Sequence, residues 1–477
     1  MTDPSSQHWP PKEQAPKTWG PKSWAIVGGG MLGLTLAHRL AQAGQQVTLY
    51  EAAPELGGLA SAWHLGDVIW DRHYHVTLLS DLRMRGILQE LGLEQDMQWE
   101  ITKTGVYADS QLYSVSNAIE FLKFPPLGLL DKIRLAITIL YGARINNWRR
   151  LEQIPVTQWL GRWSGKRTLN KFWKPLLRAK LGENYRIASA AFIWATIARL
   201  YAARRNGLKE ERFGYLKGGY RRLLETFGDR LKAEGVEILT GARVEQVRRS
   251  KESDQLQIVQ SRLDDQGNQS VDVRKFDQVV VTTAAPIAAK ICHGLNQDEL
   301  ARLFNIQYQG IVCASLLLKR PLSPYYVTNI TDDAPFTGVI EMTALVDPAE
   351  LNGHHLIYLP KYVPAEDDTL KLSDEFIKEE FLSGLEAMYP DFKRDQVSAF
   401  QISRVKYVMA LSTLNYSTQL PPVHTSVPGL HILNSAHIVN GTLNVNDTIQ
   451  LAERHIGSLL AEANQGTKLR HTSDIGL

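Results

Sequence analysis

The chain has 477 residues, of which 44% are apolar and 22% are charged. This composition excludes a wholly disordered, collagenous or coiled-coil protein and indicates roughly two to three domains. Its two cysteines, Cys292 and Cys313, are too few for a disulfide framework or a cysteine-rich zinc site, which favours a reducing, cytoplasmic compartment. The net charge of +3 by itself predicts no partner that is bound mainly by charge.

Positive charge is concentrated in residues 144–222. This stretch contains 19 Lys and Arg against four Glu, a net charge of +15, together with five of the eleven tryptophans. Three interpretations are open: a solvated helical surface, peripheral attachment to an anionic membrane, or docking of an anionic substrate. Nucleic-acid binding is not expected, because no recognition motif accompanies the charge.

The amino-terminal residues 1–21 contain five prolines among polar residues. They are expected to form a disordered leader, and they lack the apolar run of a signal peptide. The longest uncharged apolar run covers residues 187–198, whereas a membrane span needs about 20 residues. The sequence therefore predicts a soluble protein, or one that is peripheral to a membrane.

Alternating strand and helix patterns follow the leader. Residues 24–28 and 47–50 are predicted to form strands, residues 32–43 between them have helical periodicity, and residues 81–213 are mostly helical in pattern. Further strands are predicted at residues 236–239, 256–260, 271–273, 278–282, 311–318, 338–344, 355–359 and 431–434, and further helices at residues 220–234, 374–388 and 446–460. A polar tail is expected from residue 464.

A G-x-G-x-x-G motif joins the first predicted strand to the first predicted helix. Gly28 permits the tight turn, Gly30 lets the backbone approach a pyrophosphate, and Gly33 allows the helix to pack closely on the strand. Glu51 ends the next strand, where a carboxylate can accept hydrogen bonds from a ribose diol. The motif predicts a dinucleotide site, without distinguishing NAD from FAD. A turn with only a structural role is the alternative.

A second glycine pair lies just beyond Glu51. The stretch that contains Gly57, Gly58 and Leu59 resembles the flavin-containing amine oxidase superfamily, which includes protoporphyrinogen oxidases and phytoene desaturases. In that superfamily the Gly-Gly turn lies along the FAD and is usually followed by arginine, whose position Leu59 takes here. The resemblance implies an FAD-dependent oxidoreductase.

Later segments of the chain carry the same resemblance. Residues 218–220 and 241–247 resemble the second FAD-domain segment, in which the residue matching Val244 hydrogen-bonds adenine through its backbone. Residues 428–434 and 443–448 resemble the closing strand, loop and helix, and imply cofactor contacts from Asn434, Asn446 and Thr448. Neither cysteine lies in a segment that matches the covalent flavin attachment of some amine oxidases, so the FAD is expected to be non-covalent.

Two histidines are the candidates for chemistry. His73 and His75 follow a predicted strand in a segment similar to the histidine-bearing segment of UDP-galactopyranose mutases. Either could exchange protons or hydrogen-bond the flavin; a histidine satisfied by local hydrogen bonds is the alternative. A metal site is not expected here, because no third ligand lies nearby in the sequence.

The resemblance implies a discontinuous Rossmann-type α/β domain that binds FAD, with an interleaved, helix-rich α+β substrate domain. The predicted FAD-binding segments are residues 22–85, 214–310 and 425–463; the substrate segments are residues 86–213 and 311–424; the tail is residues 464–477. The implied activity removes a hydride, or two electrons, from a hydrophobic or cyclic small molecule, although the basic stretch also suits an anionic one. The alternatives are a flavin-dependent sugar-nucleotide mutase and a non-catalytic carrier similar to the Rab GDP-dissociation inhibitors.

Overall fold

The computed structural model describes residues 20–204, 212–263, 269–439 and 441–473. The predicted leader therefore lies outside the described residues except for its last two, and so do the last four residues of the tail. Regular structure begins at Ser23, where the apolar run begins.

The described strands alternate with helices along most of the chain. In chain order the strands are β1 (Ser23–Val27), β2 (Gln46–Tyr50), β3 (Ala62–Leu65), β4 (Val68–Asp71), β5 (Thr77–Leu78), β6 (Met97–Ile101), β7 (Thr104–Ala108), β8 (Gln111–Ser114), β9 (Arg212–Leu216), β10 (Glu237–Leu239), β11 (Ala242–Arg249), β12 (Leu256–Leu263), β13 (Gln269–Phe276), β14 (Gln278–Val281), β15 (Tyr308–Leu318), β16 (Val327–Ile330), β17 (Gly338–Glu341), β18 (His355–Pro364), β19 (Val397–Ala410) and β20 (Leu430–Ile432).

The described α-helices fall into a helical block, α3 to α9, and into helices that cover the sheets. In chain order they are α1 (Met31–Gln42), α2 (Leu82–Glu90), α3 (Ala118–Lys123), α4 (Leu129–Gly142), α5 (Trp148–Leu151), α6 (Val156–Ser164), α7 (Lys166–Thr168), α8 (Lys174–Leu181), α9 (Ala190–Arg204), α10 (Gly219–Ala233), α11 (Ala285–Ile291), α12 (Gln297–Asn305), α13 (Asp374–Met388), α14 (Tyr416–Gln419) and α15 (Val445–Ser473).

A five-stranded parallel sheet is built from three distant parts of the chain. Its order is β10-β2-β1-β14-β20, and every pairing is parallel. Both faces of the sheet are covered: in β1, Trp24 and Ile26 pack towards α1, α10 and α15, whereas Ala25 and Val27 pack on the opposite side with α11 and the β11-β12-β13 sheet. Burial on both faces explains why β1 reads as a continuous apolar run. The Rossmann-type arrangement predicted from the sequence is therefore present.

A second large sheet is mixed and has seven strands, in the order β19-β15-β18-β17-β16-β7-β8. The helical block from α3 to α9 has its own core. Trp159, Trp173 and Trp194 lie in that core, and the indole N–H of Trp173 donates to Ser164 Oγ at 2.9 Å. Most tryptophans of the basic stretch therefore pack the interior instead of an outer surface.

The structure corrects several expectations. Residues 81–213 were expected to be mostly helical, but they contain the strands β6, β7 and β8. These strands form because β6 pairs with β9 and β7 pairs with β16 and β8. Helix α15 continues to Ser473, since the polar residues after 464 contain no proline to end it. The division into two domains stays a prediction, but its boundaries after residues 85, 213 and 310 fall inside α2, β9 and β15 and must move to the ends of those elements. None of the described helices is long and apolar enough to cross a membrane.

A buried ionic cluster fixes α1 to its neighbours. His38 lies 2.6 Å from Glu234 and 2.9 Å from Glu90, and Arg39 contacts Glu90 at 2.6 Å and Glu453 at 2.7 Å. Burial lowers the pKa of His38, but its two carboxylate partners outweigh burial and raise the pKa above its ordinary value. The cluster thus ties α1, α2, α10 and α15 together on one side of the parallel sheet.

Candidate functional site

The glycine motif forms a tight loop at the carboxyl end of β1. Gly28 has φ +114° and its N–H donates to Tyr50 O at 2.8 Å. A Cβ at Gly33 would lie 1.9 Å from Gly28 O, whereas a Cβ at Gly30 would have Gly57 O, at 3.9 Å, as its nearest neighbour. Packing therefore requires glycine at position 33, whereas no atom of the described residues fills the space beside Gly30. That space lies at the amino terminus of α1, where an anion is stabilised.

Glu51 is held at the end of β2 beside this loop. Its Oε2 accepts a hydrogen bond from Gly29 N–H at 2.7 Å, and its Oε1 accepts one from Ala53 N–H at 2.8 Å. Each carboxylate oxygen retains a second lone pair. The side chain is therefore oriented and can still accept hydrogen bonds from a diol.

The second glycine pair lies directly against the first loop. Gly57 N–H donates to Gly29 O at 2.8 Å, and Gly57 and Gly58 have φ values of +119° and +56°. A Cβ at Gly57 would meet Leu224 at 2.5 Å. The two predicted glycine segments, 27 residues apart, thus form one backbone cradle.

His73 connects this cradle to the seven-stranded sheet. Its Nδ1–H donates to Leu59 O at 3.3 Å, so its Nε2 accepts from Ser403 Oγ at 3.1 Å. Burial, the neighbouring His75 and the charge of Arg72 lower the pKa of His73 to about 4. His73 is therefore neutral near pH 7, with both ring nitrogens occupied. This arrangement favours the structural alternative for this histidine.

His75 differs from His73 in having an unused ring nitrogen. Its Nδ1 is buried without a hydrogen-bond partner among the described residues, and lies 3.8 Å from Asp71 Oδ2. The ring packs against Tyr220 with a centroid separation of 4.6 Å, and Asp71 Oδ1 accepts Tyr220 N–H at 2.8 Å. A buried, unpaired polar atom is costly unless a bound group satisfies it.

The start of β11, the strand that carries Val244, lies beside Glu51. Ala242 N–H donates to Glu51 O and Gly241 N–H donates to Ala53 O, which places the start of β11 against the end of β2. The pairing of β11 with β12 is irregular between Val244 and Gln246. Val244 follows two residues after the Ala242 contact in β11, and its backbone contact with adenine stays a prediction.

Asn434, in the closing segment, is 1% exposed and caps a short 3-10 turn. Its Oδ1 accepts Ala436 N–H at 3.1 Å, and its Nδ2 donates to Thr283 O at 3.0 Å. The Thr283 hydroxyl is itself buried without a partner among the described residues. Asn434 thus positions the loop after β20 against the end of β14.

The other two residues predicted from the last helix use their side chains locally. Asn446 Oδ1 accepts Arg83 N–H at 2.9 Å and so satisfies the first turn of α2. Thr448 Oγ donates to Asn444 O at 2.8 Å. A cofactor contact at this helix start would therefore come from the backbone, and whether Asn446 and Thr448 contribute stays a prediction.

A narrow recess of about 20 Å³ lies between the helical block and the closing segment. Among the described residues no charged side chain lines it. Its wall includes Phe192, Met409, Ser412, Tyr416, Ser435 and Leu443. Sequence reasoning placed most of these residues in the predicted substrate segments or the closing segment but assigned none of them to a site, because they come from separate stretches and share no motif.

Comparison with known proteins identifies the family. A family model described as flavin containing amine oxidoreductase matches residues 32–450. The chain belongs to this family. Membership makes it an oxidoreductase with a flavin cofactor, as the glycine segments predicted.

Two curated relatives of this flavoprotein match over part of their length. Coproporphyrinogen III oxidase of Mycobacterium bovis is 31% identical over 138 residues, which cover 27% of this chain and 30% of that enzyme. Zeta-carotene desaturase of Synechocystis is 27% identical over 203 residues, which cover 38% and 41% of the two chains. Reduced UDP-galactopyranose mutase shares the fold, with a TM-score of 0.68 and 14% identity over 93% of this chain and 98% of that one. The aligned part spans less than half of each curated relative.

The cradle fits the flavin nucleotide that the family implies. Gly30 leaves space at the amino terminus of α1, which has no side-chain cap of its own. His75 Nδ1 and Thr283 Oγ are buried polar atoms without partners among the described residues. Both features suit a group that brings negative charge and hydrogen-bonding atoms into this region.

Proposed function

We propose that this flavoprotein binds FAD non-covalently and removes a hydride and a proton from a hydrophobic or cyclic substrate. The backbone around Gly28, Gly30 and Gly33 would hold the pyrophosphate, Glu51 the ribose, and the backbone at Val244 the adenine. Gly57 and Gly58 would lie along the cofactor. Bound FAD supplies the two-electron acceptor.

The thiols support a non-covalent cofactor. Cys292 and Cys313 are both buried, Cys292 packing below the parallel sheet and Cys313 lying in the middle of β15. Burial raises the pKa of Cys292 to about 12 and raises that of Cys313 still further. Neither sulfur is a reactive thiolate near neutral pH.

The uncharged recess is the observation that carries the substrate class. Its wall combines the apolar side chains of Phe192, Met409 and Leu443 with small hydroxyls and Tyr416. A sugar nucleotide or a polycarboxylate would leave its charges without partners there, which is costly. An apolar ring or polyene gains by leaving water. The recess therefore favours desaturase-like chemistry on an apolar ring or polyene over mutase chemistry.

The two histidines take different parts in this proposal. His73 orients the Leu59 carbonyl and keeps the glycine turn in place. The proximity of His75 Nδ1 to Asp71 favours the tautomer with a proton on Nδ1, which leaves Nε2 to accept a hydrogen bond from the bound group. His75 is thus the candidate for contact with the flavin.

The test is anaerobic bleaching of the flavin by chosen substrates. Zeta-carotene or phytoene in micelles should bleach the bound flavin, and acid precipitation should release intact FAD. Conversion of UDP-galactopyranose by the reduced protein, with no bleaching by the apolar compounds, would favour the mutase instead. A colourless protein that takes up no added FAD would refute both enzymatic functions and favour a carrier.

We also propose that the helical block contacts a membrane surface. Helix α4 exposes a stripe at positions 130, 133, 137 and 140, of which Leu130 is 76% and Ile137 50% exposed. Ile119 and Leu122 of α3 add to it, at 67% and 56% exposure. A contiguous exposed apolar face of this kind is typical of an interaction site. The repeat of three to four residues places it on one side of the helix.

Basic residues adjoin this apolar face. Helix α4 packs against α6 and α7, and the Tyr141 ring contacts the Trp163 ring at 4.1 Å between centroids. Exposed cations of residues 144–222 include Arg144, Arg149, Arg150, Arg162, Lys166, Arg167 and Lys171. An apolar face beside cations suits the boundary of an anionic leaflet, where each cation contributes about 1 kcal/mol.

Flotation with vesicles of phosphatidylcholine and phosphatidylserine tests this surface. The double variant Leu130→Asp/Ile137→Asp should bind at least about 100-fold more weakly, because each buried aliphatic side chain contributes about 1.5–3 kcal/mol. Phe376→Asp, which changes an exposed aromatic residue of α13, is the control. Equal binding by all three proteins, or none by the wild type at low salt, would refute the proposal.

A further inference from the structure

Two histidines and a glutamate converge at the edge of the parallel sheet, away from the glycine cradle. His431 lies in edge strand β20, His424 on the segment before it, and Glu462 in helix α15. Their ligand atoms all lie within 4.8 Å of one another. The Nδ1 atoms of the two histidines are 3.1 Å apart, and Glu462 Oε2 contacts His424 Nδ1 directly.

The hydrogen bonds of His431 leave its Nδ1 available as a ligand. Its Nε2 lies 2.9 Å from Gln278 Oε1, and because an amide oxygen only accepts, Nε2 must carry the proton. Nδ1 is then an unprotonated lone pair directed at His424. A partner on the far ring nitrogen that fixes the tautomer is the usual arrangement around metal-binding histidines.

Hydrogen bonds alone do not satisfy the three side chains of this group. His424 Nδ1 can carry a single proton, yet it faces two acceptors, His431 Nδ1 and the Glu462 carboxylate. A cation placed between them would engage all three lone pairs. Around a tetrahedral zinc ion with bonds of about 2.0–2.1 Å, neighbouring ligand atoms are roughly 3.3 Å apart, close to the 3.1 Å that separates the two nitrogens.

We propose that His424, His431 and Glu462 bind a divalent transition-metal ion of the Zn²⁺ type. Imidazole nitrogens with one carboxylate suit Zn²⁺, and the set is too poor in oxygen for Mg²⁺ or Ca²⁺. The side chains of His424 and Glu462 are 34% and 39% exposed, which leaves room for a water molecule as fourth ligand. The ion would fasten α15 to the edge of the sheet.

The local backbone prepares the two histidines for this role. Ile432 N–H donates to Val423 O at 2.9 Å and Thr425 N–H donates to Leu430 O at 3.3 Å, so the strand bearing His431 and the segment bearing His424 pair antiparallel. Only Glu462 must come from a distant element. Since the three ligands are spread over 39 positions of the sequence, no local sequence motif predicts the site.

Equilibrium dialysis of the full-length flavoprotein against Zn²⁺, after treatment with a chelator, tests the site. The wild type should retain one Zn²⁺ per chain, and zinc should raise its melting temperature. His424→Ala and Glu462→Gln change half-exposed side chains and should each bind Zn²⁺ at least about 100-fold more weakly, a larger loss than outer partners cause. Both variants should lose the zinc-induced stabilisation.

A histidine–carboxylate pair elsewhere provides the matched control. His354 lies 3.3 Å from Asp67, and this pair belongs to no group of three converging ligands among the described residues, so His354→Ala should leave zinc binding unchanged. Co²⁺ in place of Zn²⁺ should give the visible absorption of a tetrahedral ion in the wild type only. Absence of stoichiometric zinc, or a loss in His354→Ala equal to that in His424→Ala, would overturn the proposal.

Discussion

Gly30 and Gly33 belong to one motif, but the structure gives them opposite reasons for being glycine. Gly30 has φ −74° and ψ 175°, which any residue adopts, and a Cβ there would approach nothing nearer than 3.9 Å. A Cβ at Gly33 would lie 1.9 Å from a backbone oxygen, which has no flexible end that could move aside. We therefore expect Gly30→Val to affect the cofactor and Gly33→Ala to affect the fold.

The magnitudes separate the two effects. Gly30→Val should change the stability of the flavin-free protein by no more than about 1 kcal/mol, since it creates no clash and only a poorer helix cap. It should weaken FAD binding by about 100-fold or more, since the backbone donors facing the pyrophosphate, at about 1.5–3 kcal/mol for each charged hydrogen bond, lose their access. Gly33→Ala must move α1 away from β1 and should destabilise the protein by about 3 kcal/mol or more.

Flavin content and the melting temperature of the stripped protein are the two measurements needed. Stripping matters because bound cofactor itself stabilises the native state. Gly86→Ala, at a helical position where a Cβ meets nothing within 4 Å, is the control and should leave flavin content unchanged. Full flavin retention by Gly30→Val would show that the pyrophosphate does not lie at this loop, and an unchanged melting temperature for Gly33→Ala would contradict the packing argument.

The remaining predictions concern other groups. His73→Ala should loosen the glycine turn and lower flavin retention, whereas His75→Ala should keep the flavin but shift its reduction potential; an identical effect of both changes on a potentiometric titration would contradict these roles. Glu453→Gln should lower the free energy of unfolding by about 3–5 kcal/mol, because it leaves buried cations without enough negative charge beside them. Glu379→Gln removes an exposed ion pair and should lower the same free energy by less than about 1 kcal/mol. Denaturant titrations measure both values. Because the folded pKa of His38 is raised, its stabilising contribution is complete below its ordinary pKa of 6.5 and disappears as pH rises through the folded value; a wild-type to His38→Gln difference that grows with pH would refute this sign.

The parts of this protein that the sequence predicted well depend on neighbours in the chain. Strand β1, the glycine loop and α1 follow one another within 20 residues, and Gly28 and Gly33 mark a φ value and a contact that only glycine allows. The second glycine pair could be joined to the first because Glu51 lies between them. Local steric requirements of this kind leave a readable pattern.

The recess and the outer partners of His73 depend instead on distant contacts. Ser403 reaches His73 across 330 positions, and Phe192 meets Leu443 only because the helical block folds over the closing segment. Strands β6 to β8 were not predicted for the same reason, since β6 and β7 take hydrogen bonds from strands that are distant in the sequence. Such features have no signature in a single window of sequence.

The charge asymmetry noted at the outset points to residues 144–222, whereas the exposed apolar face lies just before them. The tryptophans that suggested an interfacial belt mostly fill the core around Trp159 and Trp173, since their large apolar rings are what that helical block has available to bury. The exposed apolar side chains lie just before the basic stretch, on α3 and α4. A count of charged residues locates the cations but not the hydrophobic face beside them. That face is recognised only from the structure, in which no helix of the described residues covers the stripe from Leu130 to Tyr141. Cations alone would give weak, salt-sensitive attraction, and the neighbouring stripe adds the apolar contact that persists when salt screens the charge.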